Sequence, residues 1–99
     1  MSALINELTN RWRQIFIALS AGEDVSPGFR LRTEGIMEAV ILLDEGSPEE
    51  LQTLMDCAYS EVFGVGLAKN LGADWQEFFA FPQIPAMAIR APVYPSTRD

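Results

Sequence analysis

No histidine occurs in this chain, and cysteine occurs once, at Cys57. Without imidazole, the usual general base of nucleophilic triads is missing, which excludes the commonest hydrolase designs. A zinc site built from Cys and His is excluded for the same reason. A single cysteine closes no internal disulfide, so a reducing, cytoplasmic compartment fits best. Positive charge is also scarce: seven Lys and Arg stand against fourteen Asp and Glu, for a net charge of -7. Such a chain repels phosphate backbones and anionic membrane surfaces. Its basic residues gather no further than the pairs Arg11/Arg13 and Arg30/Arg32, short of the stripe that nucleic-acid binding requires. Direct nucleic-acid binding and membrane binding are therefore not expected. No apolar run approaches the ~18 residues of a membrane span. Residues 1–13 lack both the basic start and the long apolar centre of a secretion signal.

What remains is apolar enough to fold. Hydrophobic residues make up 48% and aromatic residues 10% of 99 positions, above the range of chains that stay disordered. This length supports one domain, with a folded surface of roughly 5,600 Å² against roughly 16,000 Å² unfolded, so that about 65% is buried.

Ile5, Leu8, Trp12, Ile15 and Leu19, with Phe16 beside them, recur at spacings of three and four, which predicts an amphipathic helix over 2–20. Ser2 serves as its cap and Gly22 as its stop, and Glu7 precedes Arg11 in the favourable acid-before-base order. Ser26-Pro27 reads as the cap and first position of a second helix. From about Leu31 to Asp44, Ile36, Met37, Val40, Ile41 and Leu43 again follow helical spacing, with Gly35 weakening the middle by about 1 kcal/mol. The strongest punctuation is Asp44-Glu45-Gly46-Ser47-Pro48-Glu49-Glu50. Here Gly46 is expected to stop one helix, Ser47 to cap the next, Pro48 to take its first position and Glu50 to close a capping box. A helical hairpin follows, its second arm turning Leu51, Met55, Ala58, Val62 and Val65 toward the same interior, with Leu54 alongside.

After Phe63 the stretch Gly64 to Gly72 reads either as a continuing helix or as a break and restart. Asp74 is placed to cap a short turn carrying Trp75, Phe78 and Phe79. Prolines 82, 85, 92 and 95 forbid regular helix beyond Phe81. That arm nevertheless carries Ile84, Met87, Ile89, Val93 and Tyr94, so it is expected to pack on the helices or on another protein. The fold class expected is all-α, a small bundle of three to four helices over residues 1–80 with an extended, proline-rich C-terminal arm over 81–99.

No motif carries catalysis. Gly64-x-Gly66 follows a helix and lacks the Gly-Lys-Ser/Thr ending of a phosphate loop, so helix packing explains it better. Cys57 has Asp56 and Glu61 as its nearest charges, whereas a reactive thiol wants positive neighbours, and it is expected to be buried packing. Asp44, Glu45, Glu49 and Glu50 match no calcium-loop spacing and read first as caps and solubilising charge. No enzyme activity, cofactor or metal is expected. The function expected is that of a non-enzymatic interaction or regulatory protein of bacterial or phage type, with another protein or a second copy in a homodimer as partner. Its expected footprint is Trp75, Phe78, Phe79, Phe81, Ile84 and Tyr94, since aromatic anchors dominate protein interfaces. The alternative is an acidic decoy, of the anti-restriction or anti-CRISPR class, that uses Asp44, Glu45, Glu49 and Glu50 to occupy a basic groove meant for nucleic acid.

Overall fold

The computed structural model describes residues 2–85, and Tyr94 with the rest of the arm beyond Pro85 lies outside them. Among the described residues five helices follow one another: α1 (Ala3–Ser20), α2 (Pro27–Leu42), α3 (Pro48–Phe63), α4 (Leu67–Leu71) and α5 (Trp75–Phe78). No strand occurs among the described residues. The protein is all-α.

Local chemistry sets the helix ends. Ser2, Ser26 and Ser47 each accept a hydrogen bond from the backbone N–H three residues on, at 3.1 Å, which satisfies a donor that the first turn cannot. At Ser47 the cap is reciprocal, because Glu50 Oε1 accepts the Ser47 N–H at 2.9 Å. α1 ends in a Schellman turn: Gly22 at φ 80 donates to Leu19 O, and Glu23 donates to Ala18 O.

α2 ends the same way but without the expected glycine. Its last helical residue is Leu42, Asp44 adopts φ 59, and the Asp44 and Glu45 N–H groups donate to Ile41 O and Val40 O. Gly46 is thus not the stop. An aspartate tolerates the left-handed region because its short polar side chain can bond locally. Gly46 instead lies close to the core: a Cβ there would sit 3.3 Å from Val40 Cγ1, a tight contact to which that side chain would have to yield.

The first helix organises the interior. α1 makes the main contacts with both α3 and α2, so the two arms of the hairpin meet chiefly across it. Ile5, Leu8, Trp12, Ile15, Phe16 and Leu19 are buried along its inner face, as the spacing predicts. All but Leu19 meet Met37 and Val40 of α2 and Leu51, Met55, Ala58 and Tyr59 of α3 in one cluster. Each such side chain, fully buried, contributes about 1.5–3 kcal/mol. Phe16 stands edge-on to Tyr59, with ring centroids 5.1 Å apart, and Tyr59 stacks on Phe63 at 4.3 Å. The buried Thr33 hydroxyl donates to Phe29 O at 2.8 Å, so its burial carries no orphaned donor.

Beyond Phe63 the chain breaks and restarts. Gly64 takes φ 81 and ends α3, and α4 begins at Leu67, whose N–H donates to Asp56 Oδ1 at 2.7 Å. An α3 carboxylate therefore does the capping that Gly66 has no side chain to do. Asn70 Nδ2 donates to the Tyr59 hydroxyl at 2.8 Å, a second tie between α4 and α3. Asp74 precedes α5, but its side chain makes no capping bond, contrary to the sequence expectation. Ile84 and Pro85 are buried, and the Ile84 N–H donates to Glu34 Oε2 of α2 at 3.1 Å.

Candidate functional site

The residues expected to form a recognition face divide into two groups. Trp75 is 5% exposed and Ile84 4% exposed, and both belong to the chain's own core cluster. Phe79 and Phe81 are half-buried against that cluster. Phe78 is 70% exposed. Tyr94 lies outside the described residues. Of that footprint, then, Phe78 turns outward while Trp75 and Ile84 complete the interior.

A different apolar surface lies at the tip of the hairpin. Leu42 is 85% exposed and Leu43 59% exposed, side by side where α2 ends. The sequence expectation that Leu43 faces the core is overturned. Apolar residues nearly ring α2, so spacing alone did not say which arc meets α1; the buried arc is Thr33, Met37 and Val40. Leu42 continues an outer line with Leu31, itself 66% exposed. Beside the tip, Ile41, Leu42, Pro48 and Phe81, with Glu38, line an open groove of about 370 Å³.

A second groove, of about 460 Å³, adjoins the same loop through Glu45 and Gly46. Ile5 of α1 and the half-buried Leu54 of α3 form its apolar floor over the fully buried Leu51, and Glu45, Gly46, Glu49, Glu50 and Thr53 stand around it. Glu45 and Glu49 are exposed, as is Asp44 at the turn itself. No ion pair among the described residues reaches any of these three, and the chain holds no Lys or Arg between Arg32 and Lys69. The four acids singled out from the sequence thus share one loop and first turn, where Glu50 also closes the capping box.

A third groove, of about 470 Å³, runs between α1 and α3 and is polar, lined by Asn6, Asn10, Arg13, Cys57 and Glu61 among others. Cys57 is exposed there, which corrects the expectation of buried packing. The buried arc of α3 runs through Leu51, Met55, Ala58 and Tyr59. One helical step of about 100° from Ala58 carries Cys57 out of that arc. Arg13 Nε donates to Glu61 Oε1 at 2.8 Å across the groove. That hydrogen bond, reinforced by opposite charge, holds the Glu61 carboxyl below its ordinary range and the Arg13 guanidinium above its own.

Among the described residues, no group of three or more His, Cys, Asp or Glu is placed to hold a metal ion, and no helix is long and apolar enough to cross a membrane. Comparison with protein families, with curated proteins and with solved structures finds no match to this chain. Any functional reading therefore rests on the surface itself.

Proposed function

We propose that this chain is a non-enzymatic interaction protein whose recognition surface is the apolar tip of the α2–α3 hairpin and its acidic surround. The observation that carries this reading is the pair Leu42 and Leu43, 85% and 59% exposed at one corner of the fold. Scattered apolar residues on a surface are ordinary, but neighbouring ones that adjoin an apolar groove mark contact sites. Ile41, Pro48 and Phe81 supply that groove. The acids beside the tip suit such a role, since charge around an apolar centre steers encounter and rejects wrong partners. Trp75 and Ile84 leave the footprint first expected because the interior takes them. Phe78 remains as a separate exposed anchor.

The test is Leu42→Glu with Leu43→Glu in the full chain. Both side chains face solvent, so no packing is lost, and two carboxylates at the C-terminal end of α2 should lower stability only by about 0.5–2 kcal/mol, leaving the chain folded. Capture from the native cell extract, with mass identification, should lose the partner that the parent chain retains. Light scattering of both purified proteins shows whether that partner is a second copy. A partner held equally by parent and variant refutes the proposal. The decoy reading, in which the acids act alone, requires binding that collapses with salt and ignores the two leucine substitutions.

A further inference from the structure

Resting on the reading of this chain as an interaction protein, we infer that the groove between Ile5, Leu51 and Leu54 receives a segment of another protein that carries one apolar side chain flanked by Lys or Arg. The floor is apolar, whereas Glu45, Glu49 and Glu50 stand around its edge. Its volume of about 460 Å³ is that of an open groove, in the ~300–1,000 Å³ range of ligand clefts and larger than one side chain needs.

Charge decides the occupant. Glu45 and Glu49 meet no cation of their own chain among the described residues, so their charge is unspent at the edge of an apolar floor. An incoming Lys or Arg lays its aliphatic stem along such a floor and its charged head on the acids. A second copy fits poorly, because a two-fold contact through this patch sets Asp44, Glu45 and Glu49 of one chain against the same residues of the other.

The experiment titrates the intact, isotope-labelled protein with three short blocked peptides and follows backbone amide shifts. The first peptide places leucine among lysines, the second replaces the leucine by alanine, and the third replaces the lysines by glutamate. Shifts should concentrate in residues 45–54 with the first peptide, weaken about tenfold or more with the second, and vanish with the third; a tenfold change corresponds to about 1.4 kcal/mol. Glu49→Gln and Thr53→Arg, both at exposed positions on the rim, should each weaken the first peptide several-fold, while Glu77→Gln on α5 leaves it unchanged. Equal binding of the first two peptides overturns the inference, because charge alone then accounts for it. Shifts centred away from the groove, or self-association that Thr53→Arg abolishes, also overturn it. If the peptides fail while the leucine-to-glutamate variant still loses its native partner, the groove assignment falls and the proposed function stands. If the peptides bind as expected while that variant keeps its partner, the reverse holds.

Discussion

Replacing Asp56 by alanine should loosen the C-terminal third of the fold out of proportion to its size. The Asp56 carboxylate, half-buried on α3, accepts the Leu67 N–H at 2.7 Å, and Leu67 is fully buried. Water cannot readily replace the lost acceptor at such a position, so the donor is left orphaned. A hydrogen bond to a charged group contributes about 1.5–3 kcal/mol, and an orphaned buried donor costs a similar amount. For a domain of this size each kcal/mol moves the melting temperature by about 4–8 °C, so Asp56→Ala should lower it by roughly 6–24 °C. Asp56→Asn keeps an oxygen acceptor and loses only the charge, so its shift should be less than half as large. Thermal unfolding followed by circular dichroism measures both, and amide exchange at Leu67 locates the effect. Exchange there should quicken at least about tenfold in the alanine variant while Leu8 and Trp12 stay protected. If Asp56→Ala melts within about 2 °C of the parent and the Leu67 amide stays protected, α4 is held by packing alone and the capping argument is wrong.

Two further outcomes follow from the turn and the groove. Asp44 occupies the left-handed region at φ 59, where glycine meets no steric penalty, so Asp44→Gly should raise stability by a few tenths to about 1 kcal/mol in a denaturant melt; a loss would show that the aspartate side chain stabilises the turn. Because Glu61 is held below its ordinary range by Arg13, its stabilising effect is full above that range and is lost as pH falls through the depressed value. The melting temperature of the parent should therefore exceed that of Glu61→Gln at neutral pH and converge with it on acidification, and parallel curves across that range would refute the linkage.

Much of the fold is legible in the residues, for local reasons. The stripe from Ile5 to Leu19 specifies α1 and its buried face, and Ser47-Pro48-Glu49-Glu50 specifies the start of α3 down to the reciprocal hydrogen bonds. What escaped depends on contacts between segments or on a choice among equivalent arcs. Leu43 was read inward because apolar residues surround α2, and only packing against α1 chooses the arc. Asp44 displaced Gly46 as the turn residue because the turn comes two residues earlier than the glycine. Cys57 shows how much one helical step matters at the edge of a buried arc. The bond from Asp56 to Leu67 joins different helices and has no local signature. The exposed apolar surface was the least legible part: aromatic side chains drew attention to 75–84, yet Trp75 and Ile84 are buried, and the exposed apolar pair came from leucines whose spacing resembles that of core positions.

The central place of α1 shapes the order in which this chain can be made. The first helix leaves the ribosome long before the surfaces that cover it: Tyr59, which meets Phe16, arrives 43 positions later, and Ile84 later still. Until then only α2 can cover Trp12 and Phe16, and apolar surface left exposed in that interval is what chaperones and proteases engage. A product of premature termination short of Tyr59 lacks the α3 side of that cover, so such fragments should be cleared faster than the chain that carries all three helices.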